Sequence, residues 1–287
     1  MLCEVPNSCI GMFLMNPINV DVAIIGAGTA GMGAYRAALP HTVSVLLIEG
    51  GVYGTTCARV GCMPSKLLIA AAEAAHHARH SDPFGVHVEC VSVDGAAVMA
   101  RVQQERDRFV GFVLETVKSI PQTNLLSAKV RFQNANTLVT QHGQLIHARR
   151  IVIASGSIPV LPPLLKGLST RLLTNESVFD LPTLPKSLAV FGSGILGMEL
   201  GQAMGRLGVN IKIFGVGGSI VGISDEAMRT YADAAFNEEF YLDASALVKS
   251  VAETATGVDV HFLHRDGTWK TESFDYVLAA TGRAPNV

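Results

Sequence analysis

The features that most constrain the fold are two glycine-rich turns, each placed between a short apolar run and a helix-forming segment. The first turn follows the apolar run at 20–25, and the second follows the run at 187–191. Glycines in a Gly-x-Gly-x-x-Gly turn let the backbone approach a pyrophosphate, whose charge the N-terminus of the next helix favours. One such motif is weak evidence, but two units of strand, motif, helix and strand are specific. The sequence therefore predicts an α/β fold with two Rossmann-like dinucleotide-binding domains in three layers. The motif glycines are Gly26, Gly28, Gly31, Gly192, Gly194 and Gly197.

The first turn has the complete pattern of a dinucleotide site. A helix is predicted at 34–39, followed by a strand at 43–48 that ends at Glu49. An acidic residue about 20 residues into such a unit accepts hydrogen bonds from ribose hydroxyls, and Glu49 stands at that distance. The alternative is a tight strand-to-helix turn that binds no ligand, which the combined pattern disfavours.

The second turn lacks the acidic residue expected after its second strand. A helix is predicted to about residue 207 and a strand at 209–214, after which Gly215 takes the place of a Glu or Asp. Residues 215–218 offer no Arg or Lys for a 2′-phosphate, and Lys212 lies inside the strand, where we expect it to point elsewhere. The acid is typical of NAD sites and the base of NADP sites. The sequence predicts a nicotinamide nucleotide here and leaves NAD and NADP open.

Two cysteines, Cys57 and Cys62, lie in a segment bracketed by glycines and followed by Pro64 and Lys66. In a regular helix their Cα atoms would be roughly 8.6 Å apart, whereas a disulfide needs less than about 7 Å. The sulfurs can therefore pair only if the start of the helix is distorted, and Gly61 permits it. Strained, accessible disulfides tend to be catalytic. The alternative, two unrelated thiols on a helix, is disfavoured by the surrounding residues.

This segment resembles the redox-active site of the pyridine nucleotide-disulfide oxidoreductases. The family includes dihydrolipoamide dehydrogenase, mercuric reductase and glutathione reductase. Its pattern is Gly-Gly-Thr-Cys, four residues, Cys, one residue, Pro, and then Ser-Lys or Lys-Lys. Ser65 and Lys66 resemble the lipoamide and mercuric branches more than the glutathione branch. The chain departs from the pattern at Thr55, where the family usually has its second glycine.

The resemblance implies catalytic roles for four residues. Cys62 would be the thiol against the flavin ring, and Cys57 the thiol that exchanges with a dithiol substrate. Lys66 resembles the family lysine placed near flavin N5, and it would pair with Glu199, the acid that ends the second glycine motif. The alternative for Lys66 and Glu199 is ordinary surface charge.

The resemblance also implies two cofactors, FAD at the first turn and NAD or NADP at the second. Residues 151–157 and 279–286 resemble segments at which family members return to the flavin site. Lys66 and Glu199 are also expected to contact a cofactor. Further contacts are expected from residues next to these motifs, namely Gly50, Thr56, Ala128, Ser155, Gly156, Val248 and Gly282.

The domain organisation follows from these assignments. We expect a disordered extension at 1–16, with a start at Met15 as the alternative. An FAD-binding domain is expected at 17–157 with 277–287, and an NAD(P)-binding domain at 158–276. Since the resemblance covers the first part of a family member, the C-terminal dimerisation domain with its His-Glu base is expected to be absent.

Other elements are read from periodicity and capping. Helices are predicted at 65–80 and from a cap at 92–94 to about residue 120. Residues 125–150 predict a β-meander inserted in the first domain, followed by a separate buried strand at 151–157. Strands are also predicted within 247–263 and at 274–278.

Composition narrows the class of function. Apolar residues make up 49% of the chain and charged residues 16%, and the net charge of −2 gives no reason to expect nucleic acid or a membrane as partner. His76 and His80 lie four apart on a predicted helix, but no third ligand is near, so no metal is expected. An odd number of irregularly spaced cysteines fits a cytoplasmic redox protein better than a secreted disulfide framework. They are Cys3, Cys9, Cys57, Cys62 and Cys90.

The expected activity is that of a flavin-dependent dithiol/disulfide oxidoreductase that oxidises dihydrolipoamide with NAD⁺, with a role in cell redox homeostasis. The alternatives are a mercuric reductase-like or other NAD(P)H-disulfide reductase, and a non-catalytic dinucleotide-binding remnant. The expected partner is a small dithiol or lipoyl substrate, with the lipoyl domain of a 2-oxo acid dehydrogenase complex as a candidate. Full-length relatives are expected to be homodimers.

Overall fold

The computed structural model describes residues 16–287, so the extension expected at 1–16 lies outside the described residues except for Asn16. The chain forms two compact units. Of the described residues, the first contains 16–53 together with Thr116–Gly156, and the second contains Gly54–Glu115 together with Ser157–Val287. The cysteine segment and residues 277–287 thus pack with the second unit. The division of the chain by cofactor stays a prediction.

Helices and strands alternate along the described chain. The α-helices between residues 16 and 287 are α1 (Thr29–Ala38), α2 (Thr56–Val60), α3 (Cys62–Arg79), α4 (Gly95–Lys118), α5 (Ile195–Arg206) and α6 (Glu226–Glu239). Short 3-10 turns lie at Asp82–Phe84, Gln122–Asn124, Pro163–Leu165 and Val178–Asp180. The strands are β1 (Ile18–Ile25), β2 (Val45–Glu49), β3 (Leu125–Ser127), β4 (Val130–Asn134), β5 (Thr137–Thr140), β6 (Leu145–Ile153), β7 (Ser157–Pro159), β8 (Leu172–Leu173), β9 (Ser187–Phe191), β10 (Asn210–Phe214), β11 (Tyr241–Asp243), β12 (Val248–Glu253), β13 (Val258–Leu263), β14 (Trp269–Phe274), β15 (Tyr276–Ala279) and β16 (Arg283–Pro285).

The first unit is built on a six-stranded sheet in the order β3-β2-β1-β6-β5-β4. Strands β3, β2, β1 and β6 are parallel, as in a Rossmann unit. Successive side chains of a strand point to opposite faces of the sheet, and both faces are buried here. Ile24 packs with α1 residues on one face, while Ala23 packs with Leu138 and Ile146 on the other.

The β-meander is confirmed, but its end differs from the sequence prediction. Strands β4, β5 and β6 are antiparallel neighbours. The separate buried strand predicted at 151–157 is wrong, because residues up to Ile153 continue β6 without a break. The start of β6 pairs with β5, and its length pairs in parallel with β1. One strand therefore closes the meander and also belongs to the parallel sheet.

The second unit has three layers. Its parallel sheet has the order β11-β10-β9-β15-β8. One face packs against α3 and α5, where Leu188 and Ile213 meet Leu68 and Met204. The other face is covered by the antiparallel sheet β12-β13-β14, which contributes Phe262 among others. The predicted α/β fold class with two Rossmann-like units is therefore confirmed.

Helix α6 was not predicted from the sequence. Its signal is a cap, because the Asp225 side chain accepts a hydrogen bond from the Met228 N–H at 2.8 Å. The helix buries none of its residues fully and is polar on average. Among the described residues, no helix is both long and apolar enough to cross a bilayer.

Candidate redox and dinucleotide site

The first glycine turn forms a close-packed junction at the carboxyl ends of β1 and β6. Gly26 has φ +100°, and a Cβ there would lie 2.3 Å from the Ala154 carbonyl oxygen. A Cβ on Gly31 would lie 1.7 Å from the Gly26 carbonyl oxygen. By contrast, a Cβ on Gly28 would meet no atom within 4 Å, and no side chain caps α1. The turn is therefore tight on its inner side and open in front of the helix N-terminus.

The other predicted residues of the first unit surround this turn. Glu49 ends β2, and its two carboxylate oxygens accept hydrogen bonds from the N–H groups of Ala27 at 2.7 Å and Gly51 at 2.8 Å. The Ala128 N–H donates to the Glu49 carbonyl at 3.0 Å. A Cβ on Gly50 would lie 3.2 Å from the Ala128 carbonyl oxygen. Ser155 and Gly156 directly follow the segment that touches Gly26.

The cysteine segment of the second unit is divided at Gly61. Helix α2 ends at Val60 and α3 begins at Cys62, so the expected distortion lies between the two cysteines. A Cβ at position 61 would lie 3.1 Å from the Thr56 carbonyl oxygen and 3.2 Å from the Cys57 Cα atom. This close approach explains why a glycine stands here.

The two thiols meet across this break. The Cys57 thiol lies beside the Cys62 side chain, close to the N–H groups of Cys62 and Met63. Burial raises the pKa of the Cys57 thiol, and the neighbouring Cys62 side chain raises this pKa further. Cys62 itself is exposed. The structure thus contains Cys57 and Cys62 as two free thiols that lie next to each other, as disulfide formation requires.

Thr55 adopts a backbone conformation that favours glycine. Its φ is +60° with ψ 148°, which is the conformation that the family's second glycine would take without strain. Its hydroxyl accepts a hydrogen bond from the Ala58 N–H at 3.2 Å and so caps α2. Thr56, one of the expected cofactor contacts, is the first residue of that helix.

The pairing expected between Lys66 and Glu199 is observed within the second unit. Lys66 Nζ lies 2.6 Å from Glu199 Oε1. Lys66 lies on α3, one turn after Cys62, and Glu199 lies on α5, directly after the second glycine turn. The bridge therefore connects the cysteine segment to the second dinucleotide unit.

The second glycine turn repeats the geometry of the first. Gly192 has φ +115°, and its Cβ would lie 2.4 Å from the Ala280 carbonyl oxygen. A Cβ on Gly197 would lie 1.9 Å from the Gly192 carbonyl oxygen, whereas one on Gly194 would meet nothing within 4 Å. A cavity of about 680 Å³ opens at this turn. The residues that line it include Gly192, Ser193, Gly194, Ile195, Gly215, Val216, Val248 and Gly282.

Ser193 occupies the space that an acidic side chain at position 215 would need. This residue was not predicted from the sequence to have a role. A Cβ on Gly215 would lie 2.2 Å from Ser193 Oγ and 2.9 Å from the Ala244 carbonyl oxygen. The Ser193 hydroxyl donates to the Ser219 carbonyl, so it is fixed in that place. Lys212 forms an ion pair with Glu272 at 3.3 Å and does not line the cavity. The local packing therefore excludes any side chain at position 215.

The histidines considered for a metal pack against each other instead. The rings of His76 and His80 are stacked with centroids 4.2 Å apart, and His80 Nδ1 lies 2.8 Å from the His76 carbonyl oxygen. Within residues 16–287, no group of three or more His, Cys, Asp or Glu side chains is arranged to hold a metal ion.

Two open glycine turns, a cavity and a cysteine pair define a dinucleotide-binding protein with a dithiol site. Residues 20–287 match the family of the pyridine nucleotide-disulphide oxidoreductases, and the chain belongs to this family. Family members use FAD and NAD(P)H, in agreement with the predicted cofactors.

The chain is similar to enzymes of two branches of the family. It is 31% identical to a dihydrolipoyl dehydrogenase of Geobacillus stearothermophilus, over 94% of this chain and 57% of that protein. It is 32% identical to a mercuric reductase of Shigella flexneri, over 93% of this chain and 48% of that protein. The chain thus spans about half the length of these relatives.

A solved structure shares the fold. The HOCl-induced flavoprotein disulfide reductase RclA from Escherichia coli superposes with a TM-score of 0.75 at 22% identity, covering 92% of this chain and 57% of that one. At this identity the likeness concerns the fold alone.

The residues of both turns fit the cofactors of the family. Each turn leaves the space before a helix N-terminus open, and backbone N–H groups there suit a pyrophosphate. The carboxylate of Glu49 stands at the end of β2, where a ribose would be bound. The cavity at the second turn has the size of a cofactor pocket.

Proposed function

We propose that the chain is the cofactor-binding and cysteine-bearing part of a flavin-dependent dithiol/disulfide oxidoreductase that oxidises dihydrolipoamide. The observation that carries the proposal is the contact between Cys57 and Cys62 across the break at Gly61. The similarity to dihydrolipoyl dehydrogenase supports the choice of substrate.

The cysteine pair would act in its disulfide form. A substrate thiolate attacks Cys57 Sγ, the Cys57–Cys62 bond breaks, and Cys62 leaves as a thiolate. The second substrate thiol then attacks the substrate's sulfur in the mixed disulfide, which forms lipoamide and releases Cys57, and its proton goes to Cys57. Once Cys62 takes up the proton that the first substrate thiol lost, two electrons and two protons have passed from the substrate to the pair. The N–H groups of Cys62 and Met63 favour negative charge on Cys57, against the larger effect of burial, which raises the pKa of this thiol.

Other residues of the chain would hold the cofactors. In the first unit, Gly26, Gly28, Gly31 and Glu49 would hold FAD, and in the second, Gly192, Gly194 and Val248 would hold the nicotinamide nucleotide. Bound FAD supplies the two-electron chemistry by which NAD⁺ takes a hydride, one proton is released and the cysteine disulfide is restored. Lys66, fixed by Glu199, places a positive charge one turn after Cys62.

The partners of this activity are part of the proposal. The substrate would be a lipoyl group, either free or on the lipoyl domain of a 2-oxo acid dehydrogenase complex, and the enzyme would act in the cytoplasm, as a homodimer like that expected of full-length relatives. A mercuric reductase-like activity is the second candidate, favoured by the similarity to that enzyme.

The test uses the chain loaded with FAD and reduced by two electrons without oxygen. A long-wavelength absorption band that is present in the wild type and absent in Cys62→Ser supports the proposal. Oxidation of dihydrolipoamide, compared with NADPH-dependent reduction of Hg²⁺, then separates the two candidates. A chain that takes up no FAD contradicts the proposal.

A further inference from the structure

The carbonyl of Val60, the last residue of α2, cannot find a donor in its own helix. The last carbonyls of a helix have no intrahelical partner. If the helix continued, this carbonyl would bond to the N–H four residues later, but that residue is Pro64, which has no N–H. Backbone carbonyls that are shielded from water need a donor. The Val60 carbonyl oxygen therefore needs a hydrogen-bond donor from another part of the chain.

Asn175 supplies this donor. Its Nδ2 donates to the Val60 carbonyl oxygen at 2.9 Å across 115 residues of sequence. The side chain is almost fully buried, with 6% exposed. Its loop is fixed locally, because the Val178 N–H donates to the Thr174 carbonyl at 3.0 Å and the Thr174 N–H donates to Ser177 Oγ at 3.1 Å.

Arg283 determines which way the Asn175 amide faces. Arg283 Nη1 donates to Asn175 Oδ1 at 2.7 Å, and Arg283 Nε donates to Ser157 Oγ at 2.8 Å. Because a guanidinium has only donors, it can bind only the oxygen of the amide. The NH₂ group of Asn175 must then face Val60. Glu176 Oε1, 3.3 Å from Arg283, adds an opposite charge.

The bond acts next to the glycine between the cysteines. Val60 immediately precedes Gly61, at which α2 and α3 separate. A glycine allows many backbone conformations, so contacts from outside the segment add to those within it in fixing the orientation of α2 relative to α3. Holding the Val60 carbonyl holds the helix that carries Cys57 against the helix that carries Cys62.

We propose that Asn175, oriented by Arg283, is a positioning residue that sets the dithiol–disulfide equilibrium of Cys57 and Cys62. This inference rests on the proposed function, in which the pair is redox-active. In glutathione buffer the two thiols and oxidised glutathione give the Cys57–Cys62 disulfide and two reduced glutathione molecules. The bond to Val60 favours the arrangement in which the sulfurs meet, and so it favours the disulfide.

The test measures this equilibrium in the full chain, by trapping thiols in buffers of known glutathione ratio. Asn175→Asp keeps the acceptor for Arg283 but removes the donor to Val60. We expect its equilibrium constant for disulfide formation to fall about tenfold, which is a rise of about 30 mV in reduction potential. Arg283→Met frees the amide to rotate, and a smaller fall of about threefold is expected. If Asn175→Asp does not fold, the equilibrium constant of Arg283→Met alone tests the inference.

A matched control separates positioning from a general loss of stability. Asn237 Nδ2 donates to the Leu242 carbonyl at 3.1 Å, and its Oδ1 accepts from the Leu242 N–H at 3.0 Å. Asn237→Asp removes the same kind of donor away from the cysteines, and the equilibrium constant should stay at the wild-type value. The inference is overturned if Asn175→Asp and Arg283→Met both stay within twofold of the wild type. A wild type that forms no Cys57–Cys62 disulfide overturns the proposed function together with the inference.

Discussion

Lys66 Nζ lies 2.6 Å from Glu199 Oε1, although the two residues are 133 positions apart in the sequence. The bridge joins the helix that follows the cysteines to the helix of the second glycine turn, within one unit of the chain. Lys66 is 60% exposed and Glu199 is 33% exposed. Exposed ion pairs contribute little to stability, so we propose that this pair serves function rather than stability.

We expect Lys66→Met and Glu199→Gln to change the free energy of unfolding by less than about 1 kcal/mol. Each should lower dihydrolipoamide oxidation by the FAD-loaded chain about tenfold, the effect of about 1.4 kcal/mol on a barrier. Chemical denaturation and initial rates measure the two quantities. The control is Lys270→Met, which removes the exposed ion pair with Asp266 at 2.7 Å. An equal loss of rate in the control would contradict the assigned role.

Replacing Thr55 should raise or lower stability according to the side chain introduced. Thr55→Gly removes the strain of a positive φ, about 1–3 kcal/mol. It loses a cap and adds chain entropy, about 1 kcal/mol together. We expect a net gain of about 1 kcal/mol in the free energy of unfolding. Thr55→Ala keeps the strain and loses the cap, so it should lose about 1 kcal/mol. Urea denaturation of the two variants tests the opposite signs.

Gly215→Ala should destabilise the second unit by about 1–3 kcal/mol, because the new Cβ overlaps Ser193 Oγ and the Ala244 backbone. Adding Ser193→Ala should recover part of the loss, since it removes one of the two obstacles. Thermal unfolding of the single and double variants measures the effect. No loss in Gly215→Ala would contradict the packing seen at this position.

The absence of an acid and of a base at 215–218 predicts weak discrimination between nicotinamide nucleotides. We expect the dissociation constants of NADH and NADPH to agree within about tenfold, or about 1.4 kcal/mol. Fluorescence titration measures them without turnover. Val216 is exposed and lines the cavity, so Val216→Arg should shift the ratio towards NADPH. A difference of more than a hundredfold between the two dissociation constants of the wild type would contradict this prediction.

Acid should weaken the second unit through Glu239. The hydrogen bonds from Arg206 hold the pKa of Glu239 below its ordinary value. A depressed carboxyl pKa stabilises the fold above the pKa of the unfolded chain, and this stability is lost as pH falls through the folded value. The free energy of unfolding should therefore decrease below about pH 4.5, and the decrease should be smaller in Glu239→Gln. Denaturation at pH 6 and pH 3.5 provides the comparison.

Much of the fold could be predicted because its signals are local. The glycine turns, the strands before them and the break at Gly61 each depend on a few adjacent residues. The pairing of Lys66 with Glu199 came from the resemblance, since no local pattern connects residues that far apart.

What was missed depends on tertiary contacts. Ser193 fills the space at Gly215 only because the turn folds back over the end of β10. The sequence shows that Pro64 has no N–H for the Val60 carbonyl. It does not show that Asn175, which is distant in the sequence, is the donor. Helix α6 was missed because it is polar on average and buries none of its residues fully.

The uninterrupted strand β6 has a consequence for how this chain tolerates change. Its first residues pair with β5 and close the meander, and nearly its whole length also pairs with β1, so the two pairings share one register. A single-residue deletion inside Leu145–Ile153 would turn every following side chain to the opposite face. The hairpin around Gly143, by contrast, leads into that strand from outside the ladder and has room for a longer loop. The meander is thus not a detachable module: its tip is free to vary in length, but its last strand is a fixed part of the dinucleotide-binding sheet.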